Sequence, residues 1–310
     1  MPTPSGTPLW LWITFNLFVL FFLALDLGVF HRKSHAVSWR EALAWSGVWV
    51  GLALLFGAGI HYFRGSEPTL QFLAGYLIEK SLSVDNLFVF ALVFGSFAVP
   101  DAYQHRVLAW GVLGAIVMRA GLIFAGTALL HAFEEMVYVF GAFLILTGIR
   151  MALARGKETE VAQNPLVRLL RRSPAVLADY REDRFVVREG ERWRITPLLL
   201  VLLVVESTDL LFAVDSIPAI LAITTDPFLV FTSNVFAILG LRSLYFLLAA
   251  ALTKLVHLKL GLATVLVFVG TKMTLTEVYP ISPGVSLAVT AGVLGLAVGT
   301  SLWSTRAAAS

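Results

Sequence analysis

Two clusters of acidic residues lie inside long apolar segments of the sequence, and each resembles the other. The first contains Glu79, Asp85 and Asn86, and the second contains Glu206, Asp209, Asp215 and Ser216. In both clusters the last aspartate follows a valine and precedes a small polar residue. Charged side chains are costly in the apolar interior of a membrane, so such residues indicate a functional site. Their duplication predicts that the site lies between two structural repeats.

The side chains of these clusters have the chemistry that binds a hard divalent cation. The candidate metal ligands are Asp85, Asp215, Glu79, Asp209, Glu206, Asn86, Ser216 and, in a later apolar segment, Asn234. They offer only carboxylate, amide and hydroxyl groups, because no histidine falls in the clusters and the chain has no cysteine. Oxygen ligands suit Mn²⁺, Mg²⁺ and Ca²⁺ and disfavour Cu⁺ and Zn²⁺. We interpret Asp85 and Asp215 as the core of one central site, and the other acids as further ligands or steps on the access path.

The clusters contain more acids than a divalent ion needs. Two carboxylates neutralise such an ion, and the two clusters together supply five. Burial in an apolar medium favours the neutral form of a carboxyl group, so some of these acids are expected to take up protons when the ion leaves. The surplus therefore suggests a cation/H⁺ antiporter, in which metal release is coupled to proton uptake.

Helical spacing determines which side chains can face the same ion. At about 100° per residue, Glu79 and Asn86 share a face of one helix, whereas Glu79 and Asp85 do not. These two acids therefore serve two different sites, or the helix is broken between them. A second loosening of the backbone is expected at Pro218, because proline removes the hydrogen bond to the carbonyl of Val214.

A structural role is the alternative for the same acids. Four cations lie in the apolar segments and would form buried ion pairs with them: Lys80, Arg119, Arg242 and Lys272. The duplication and the small polar neighbours favour the functional interpretation. For Arg119 and Arg242, which recur at matching positions of the two apolar regions, we expect a role in holding the acids in place rather than direct contact with the ion.

The composition indicates a polytopic membrane protein. Of the 310 residues, 58% are hydrophobic and 14% are charged, against roughly 25% charged residues in soluble domains. The net charge of +3 gives no indication of nucleic-acid binding. Without cysteine, the chain forms no disulfides, Cys-ligated zinc sites or iron–sulfur clusters. We interpret the first apolar segment as a retained helix rather than a signal peptide, because Arg32 and Lys33 follow it and no basic residues precede it.

Nine segments are long enough to cross a membrane at about 20 residues each. These predicted spans 1 to 9 are residues 9–30, 42–63, 70–97, 106–128, 133–153, 196–222, 228–252, 257–276 and 284–303. The fold class is therefore all-α, a polytopic membrane helix bundle that forms a single transmembrane domain over residues 1–310. Residues 154–195 form the one long connection, which we interpret as a solvated loop with a short amphipathic helix.

The distribution of lysine and arginine orients the bundle. Cations are concentrated in alternate connections, above all in the long loop of residues 154–195, while the opposite turns are poor in them. By the positive-inside rule this loop is cytoplasmic. An odd number of spans then places the N-terminus outside and the C-terminus in the cytoplasm. The protein is expected to be a multi-pass protein of the cell membrane, with the lipid bilayer as its surroundings.

The two acidic clusters belong to a longer repeat. Superposing Glu79 on Asp209 aligns Asp85 with Asp215 and Asn86 with Ser216, and in the following spans Gly111 and Arg119 align with Asn234 and Arg242. Spans 3–5 and 6–8 enter the membrane from opposite sides. They are therefore predicted to be two inverted three-helix repeats, an arrangement that places substrate sites near the middle of the membrane.

The sequence resembles the TerC/Alx family of integral membrane proteins. The resemblance lies in residues 24–33, 79–90, 103–108, 141–148, 206–218 and 231–245, including Glu-Lys-Ser-Leu-Ser-Val-Asp-Asn at 79–86 and Glu-Ser-Thr-Asp-Leu-Leu-Phe-Ala-Val-Asp-Ser at 206–216. It implies metal-ion homeostasis, chiefly export of Mn²⁺. It also implies that Glu79, Asp85, Glu206, Asp209 and Asp215 are the family's intramembrane carboxylates. The direction of transport follows from this resemblance alone.

Three functional classes fit a membrane protein with buried carboxylates. We favour a transporter of divalent cations, Mn²⁺ or Ca²⁺, with protons as the coupling ion and no permanently bound cofactor. An intramembrane hydrolase with paired aspartates is disfavoured because the full inverted repeat is typical of transport, so the protein is not expected to be an enzyme. The alternative is a membrane interaction protein that delivers metal to, or docks, secretion or metalloenzyme partners. Nucleic acid is not an expected partner.

Overall fold

The structure, a computed structural model, is mostly helical, with ten helices in the residues that it describes. It describes residues 7–25, 39–133, 135–153, 176–177, 179–189, 192–248, 257–276, 278–279 and 281–307. The helices are α1 (Leu9–Leu25), α2 (Trp39–Arg64), α3 (Ser66–Ser96), α4 (Asp101–Ala132), α5 (Met136–Leu153), α6 (Pro197–Leu221), α7 (Pro227–Leu239), α8 (Leu241–Leu248), α9 (Leu258–Thr274) and α10 (Pro283–Ala307). Residues 26–38, 154–175 and 249–256, on which part of the predicted orientation and loop rests, lie outside the described residues.

Six helical segments in the described part of the chain are long and apolar enough to cross a membrane. They are Arg40–Arg64, Asp101–Ala132, Met136–Leu153, Pro197–Leu221, Pro227–Leu247 and Pro283–Ser304. The helices α1 and α9 have 17 residues each, and α3 carries Glu79, Lys80 and Asp85 within its apolar sequence. All nine predicted spans are helical over most of their length, but nine crossings stay a prediction.

The helices that carry the acidic clusters lie side by side at the centre of the bundle. Helix α3 packs against both α6 and α7, and α6 packs against both α3 and α4. Helices α4 and α7 also contact each other, while α5 packs along α9. Helices α2 and α10 also pack against α3. The acids of α3 and α6 are therefore placed among four helices.

The packing of α5 on α9 depends on small residues. A Cβ atom added to Gly270 would lie 2.6 Å from the carbonyl oxygen of Gly141, and one added to Gly148 would lie 2.7 Å from the carbonyl oxygen of Ala263. Because glycine has no side chain, the two backbones can approach this closely, as in other membrane helix pairs. The paired positions run in opposite directions along the two helices, so α5 and α9 are antiparallel.

Two apolar cores fill the bundle, and polar residues of α3 and α6 separate them. The first core includes Phe15, Phe72, Ile78, Ala213, Ile217, Phe231 and Phe236. The second includes Leu87, Phe90, Phe94, Leu108, Leu198, Val205 and Tyr245, and it lies toward the predicted cytoplasmic side. Along α3 and α6 the candidate ligands from Glu79 to Asn86 and from Glu206 to Asp209 fall between these two cores.

Span 7, predicted as one helix over 228–252, is interrupted at a single residue, Gly240, whose backbone stays in the helical region (φ −82°, ψ 0°). Helix α7 ends at Leu239 and α8 begins at Leu241, with Gly240 between them. Lys80 of α3 donates a hydrogen bond from Nζ to the carbonyl oxygen of Ala237 at 3.2 Å, so its charge compensates the exposed carbonyls at the end of α7. A Cβ atom on Gly240 would lie 2.5 Å from this Nζ, which is why glycine suits this position.

The breaks expected in the acid-bearing helices do not occur. Helix α3 is continuous through Glu79 and Asp85. Helix α6 is continuous through Pro218, which lies in its last turn, and ends three residues later at Leu221. Proline has no N–H to donate to the carbonyl of Val214, yet the helical conformation continues past it. The backbone of α3 therefore leaves Glu79 and Asp85 on different faces.

A small β-hairpin is added to the predicted helical fold. Strands β1 (Val186–Glu189) and β2 (Arg192–Ile195) pair antiparallel within the long connection, with Val186 opposite Ile195. The short amphipathic helix predicted in this loop falls on 168–172, outside the described residues. Strands of four residues in a loop of mixed charge show little alternation of apolar and polar residues, so the sequence did not predict the hairpin.

The hairpin segment is fixed to the ends of α3 and α4. The hydroxyl of Tyr180 donates to the carbonyl oxygen of Phe97 at 2.8 Å. Arg106 forms an ion pair with Asp183, and its guanidinium lies 5.4 Å from the centre of the Phe185 ring. These contacts extend the second core and cover its predicted cytoplasmic side.

Candidate cation site

The guanidinium of Arg119 lies at the centre of the acidic residues of α3 and α6. Its Nε donates to Oδ2 of Asp209 at 3.0 Å and its Nη2 donates to Oδ1 at 2.9 Å, a bidentate pair. Its Nη1 donates to Oε1 of Glu79 in a second ion pair. All three residues are buried, with exposed fractions of 2% for Arg119, 4% for Asp209 and 0% for Glu79. Such charge-assisted bonds are the strong kind in a protein interior.

Amide and hydroxyl groups complete this cluster. Asn234 of α7 donates from Nδ2 to Oε2 of Glu79 at 3.1 Å, and its Oδ1 accepts from Arg119 at 3.4 Å. Ser216 of α6 also accepts from Arg119 at 3.4 Å. Asn86 lies at the limit of a hydrogen bond, 3.5 Å from Asp209. Five of the predicted ligands are thus brought together, and we call them with Arg119 the arginine cluster.

Helical period explains why these side chains meet. Glu79 and Asn86 are seven residues apart on α3, and Asp209 and Ser216 are seven apart on α6, so each pair shares one face. Because α3 and α6 pack against each other, the two faces meet with Arg119 of α4 between them. The sequence spacing thus positions both halves of the arginine cluster.

The arginine cluster is an ion-pair network rather than a preformed metal site. Within the described ranges, no group of three or more His, Asp or Glu side chains is placed to hold a metal ion. The structural alternative, acids paired with a buried cation, is what Glu79 and Asp209 adopt in this conformation. With two carboxylates and one guanidinium, the network still carries an excess negative charge, which is costly in a low-dielectric interior.

Glu206 lies one turn before Asp209 and packs against the backbone of α4. It is half-buried, and a Cβ atom added to Gly114 would overlap its carboxylate group. Its Oε2 atom is buried and accepts no hydrogen bond from the described residues. Gly114 therefore gives this carboxylate its place, and the charge of Glu206 adds to that of Asp209.

Asp215 does not join the arginine cluster. It is half-buried on the side of α6 that faces α5, where it accepts a long hydrogen bond of 3.5 Å from Oγ1 of Thr147. The side chain of Asp85 lies outside the described residues. The structure thus assembles its buried cluster around Glu79 and Asp209, and a shared site of Asp85 and Asp215 stays a prediction.

Two residues of this region were not identified from the sequence. Gly114 holds no chemical group, so only the three-dimensional contact with Glu206 shows its role. Thr147 lies within the run 141–148 that carries part of the family resemblance. Its hydroxyl group in an apolar helix is the signal by which it could have been identified. Arg119 was singled out as a candidate partner of the acids, but its place between two helices depends on tertiary packing.

A narrow cavity adjoins the arginine cluster. It is lined by Asp209, Gly111 and Arg242, and by apolar side chains of the second core that include Phe90 and Leu108. Its volume is about 10 Å³, close to the room that one water molecule needs. The cavity thus lies between Asp209 and apolar side chains of the second core.

The chain matches one family of membrane proteins over most of its length. The model of the integral membrane protein TerC family matches residues 64–309. An uncharacterized membrane protein of Myxococcus xanthus, STKORF319, is 55% identical over 96% of this chain and 93% of its own. A protein of Escherichia coli K12 that is named as a membrane-bound redox modulator, Alx, is 48% identical over 96% of this chain and 95% of its own.

A more distant relative covers almost the same length. An uncharacterized membrane protein of Rickettsia bellii is 37% identical over 93% of this chain and 95% of its own. No solved structure matches the chain. Together with the apolar helices and the family model, these likenesses show that the chain belongs to the TerC family of integral membrane proteins.

Proposed function

We propose that this protein exports divalent metal cations, with Mn²⁺ as the main substrate, through the acidic residues of α3 and α6. The observation that carries the proposal is the buried polar region between the two apolar cores, where Glu79 and Asp209 face each other. The candidate ligands in this region are carboxylate, amide and hydroxyl oxygens, and the chain has no cysteine. Such ligands bind hard cations such as Mn²⁺.

The charge of the region supports exchange of a divalent ion for protons. Glu206 lies one turn before Asp209, so three carboxylates lie close to Arg119, which pairs directly with Glu79 and Asp209. When all four groups are ionised, two negative charges are left over. One divalent cation or two protons would neutralise them, which is the balance that a cation/H⁺ antiporter requires.

The helix packing supports the proposal of two inverted repeats, α3–α5 and α6–α9. In these repeats α3 corresponds to α6, and α4 corresponds to α7. The contact between α3 and α7 therefore has the contact between α6 and α4 as its equivalent, and both occur. Gly141 and Gly148 of α5 correspond to Ala263 and Gly270 of α9. The contact between Gly141 and Gly270 therefore has the contact between Ala263 and Gly148 as its equivalent, and this contact also occurs. Repeats related in this way can rock against each other around a fixed central site.

The name of the Escherichia coli relative describes a redox modulator. A thiol couple within this chain is excluded, because the chain has no cysteine. An influence on cellular redox state would therefore come from the ion that is transported. The relative's name is thus compatible with a transporter, and it gives no reason to assign redox chemistry to this chain.

A second role, docking of partner proteins, is favoured by the β-hairpin, which lies on the predicted cytoplasmic side. Trp193 on β2 is 69% exposed, although the hairpin segment is fixed to α3 and α4. Aromatic side chains presented on a fixed element are enriched at protein interfaces. A substitution of Trp193 that weakens recovery of metal-handling proteins without changing flux would support this role, and unchanged recovery would exclude it.

Ion flux in proteoliposomes tests the proposed function. Purified protein is reconstituted, and Mn²⁺ entry is followed with a metal-sensitive dye, with Mg²⁺ and Ca²⁺ as competitors and with or without a proton gradient. We expect saturable Mn²⁺ flux that Asp209→Asn abolishes and Glu67→Gln, a change of an exposed acid on the same helix as Glu79, leaves intact. Absence of flux in the native protein would contradict transport, and flux insensitive to the proton gradient would contradict the coupling.

A further inference from the structure

Two arginines occupy equivalent positions of the proposed repeats, and both lie near the same acid. Arg119 follows Gly111 by eight residues on α4, and Arg242 follows Asn234 by eight residues on α7 and α8. Arg119 binds Asp209 directly. Arg242, which is 8% exposed, lines the narrow cavity that Asp209 also lines. One arginine of the first proposed repeat thus binds Asp209, and the equivalent arginine of the second borders the same small cavity.

The surroundings of the two arginines differ at one pair of equivalent positions. On the side of Arg119, Asn234 fills the space and bonds both to Glu79 and to the guanidinium. On the side of Arg242, the equivalent residue is Gly111, which has no side chain and lines the cavity. A Cβ atom added to Gly111 would meet only Val205, at 3.5 Å. Gly111 thus leaves a small cavity beside Asp209, whereas the side chain of Asn234 fills the equivalent place in the other repeat.

A transported cation and Arg119 need the same oxygen atoms. Both carboxylate oxygens of Asp209 accept from Arg119, and both oxygens of Glu79 accept from Arg119 or Asn234. A divalent ion requires about six oxygen ligands at about 2.0 to 2.6 Å. It cannot reach that coordination while the guanidinium stays between the acids. Binding of the ion at this pair must therefore displace Arg119.

Displacement by a cation also keeps the buried charge balanced. Removing the only positive charge from a buried ion pair leaves unpaired carboxylates, which is strongly unfavourable. If the arriving ion takes the place of the guanidinium, the two acids are never left without a cation. The same reasoning applies when the ion leaves, since a guanidinium can return as it departs. A resident arginine thus allows the empty transporter to change conformation without bare acids in its core.

From these observations we propose that Arg119 is an internal counter-cation that competes with the transported ion for Glu79 and Asp209. In the alternate conformation of the two repeats, Arg242 takes the equivalent place at Asp209. The inference rests on the proposed function, because it names how that same site is kept neutral between transport cycles. The structure is then a state in which Arg119 holds the acids and Arg242 borders the small cavity at Asp209.

Mn²⁺ binding to variants of Arg119 tests the competition. Thermal unfolding of purified protein in detergent is measured over a series of Mn²⁺ concentrations for the native protein, Arg119→Gln and Arg119→Lys. We expect Arg119→Gln to unfold at a lower temperature without Mn²⁺ but to bind Mn²⁺ at least about tenfold more tightly, because a competing state has been removed. Arg106→Gln, which changes an arginine paired at the surface, is expected to leave the affinity unchanged.

The lysine variant keeps the test decisive if the glutamine variant does not fold. A lysine ammonium forms no bidentate pair, so Arg119→Lys is expected to tighten Mn²⁺ binding by several-fold while retaining a positive charge. Equal or weaker affinity in the variants that fold, with Mn²⁺ binding intact in the native protein, would overturn the competition and leave the proposed function standing. Absence of both binding and flux in the native protein would instead overturn the proposed function itself.

Filling the cavity tests the exchange between the two arginines. Gly111→Asn gives the first repeat the side chain that the second repeat has at Asn234, and it closes the space beside Asp209. We expect this variant to bind Mn²⁺ but to lose flux at least about tenfold, and Gly111→Ala to lose clearly less because its Cβ atom fits. Flux in Gly111→Asn equal to that in Gly111→Ala would overturn the proposed role of Arg242.

Discussion

The four candidate acids of α3 and α6 whose side chains the structure describes fall into two groups, which differ in their contact with a cation. Glu79 and Asp209 are buried and bind Arg119 directly. Glu206 and Asp215 are half-buried; Glu206 packs against Gly114 and Asp215 meets a threonine. Both groups lie on the central helices. The difference separates the carboxylates whose charge is neutralised in place from those whose charge is left for a proton or a metal ion.

This comparison assigns different consequences to the same chemical change. Neutralising an acid that binds Arg119 should weaken both the fold and transport, because the guanidinium loses a partner. Neutralising an acid outside the arginine cluster should impair transport and leave the fold almost unchanged. Stability and flux measured on the same variants therefore test whether the two groups are real.

The largest effect is expected from Asp209→Asn. The change removes the negative charge from the bidentate partner of Arg119 and leaves the buried guanidinium with Glu79 alone. We expect a loss of about 3 kcal/mol in the free energy of unfolding and a complete loss of Mn²⁺ flux. Unfolding in detergent against denaturant concentration measures the first, and proteoliposome flux the second. A stability equal to that of Glu67→Gln would break the comparison.

Glu206→Gln should separate the two properties. No hydrogen bond from the described residues to Oε2 is lost, and a partly buried charge is removed, so the free energy of unfolding is expected to change by less than about 1 kcal/mol. Flux is expected to fall at least about tenfold, because one of the uncompensated charges disappears. The same two measurements apply. A loss of stability as large as that of Asp209→Asn would place Glu206 with the paired acids.

Gly114→Ala tests how Glu206 is positioned. The added Cβ atom would overlap the carboxylate of Glu206, so that side chain must move. We expect a destabilisation of about 1 to 2 kcal/mol and reduced flux. Gly121→Ala on the same helix is the matched control, since nothing lies within 4 Å of its Cβ position. Equal stability and flux in the two variants would show that Glu206 needs no fixed place.

The smallest effect is expected from Thr147→Val. It removes only the long hydrogen bond from Thr147 to Asp215, so stability should change by less than about 0.5 kcal/mol. Flux is expected to fall two- to three-fold (about 0.5 kcal/mol) if Asp215 lies on the ion path. Thr264→Val on α9, whose hydroxyl bonds only within its own helix, serves as the control. A flux identical to the control would remove Thr147 from the transport path.

Periodicity predicted the parts of this site that lie within single helices. The seven-residue spacing of Glu79 with Asn86 was readable from the sequence, as was the membrane class. The contact of Lys80 with the carbonyl of Ala237 was not, because the two residues lie 157 positions apart in the sequence. At Pro218, where we expected a loosened backbone, the helix continues to Leu221.

The placement of Arg119 shows the same limit for the site itself. The sequence indicated four buried cations and five acids but not which pairs would form. That choice depends on the packing of α4 against α6, which brings Arg119 to Asp209 and Glu79 rather than to Asp215. The hairpin of β1 and β2 escaped prediction for a related reason, because its stability comes from contacts with α3 and α4 such as that of Arg106 with Asp183.

The central claim is that the acids of α3 and α6 bind one divalent cation where Arg119 now lies, and counting bound ions tests it most directly. Electron paramagnetic resonance of free Mn²⁺, titrated with purified protein, gives the number of ions bound per chain. We predict one ion for the native protein and for Glu67→Gln, and none for Asp209→Asn over the same concentrations. A native protein that binds no Mn²⁺, or an Asp209→Asn variant that binds it as the native protein does, would contradict the account.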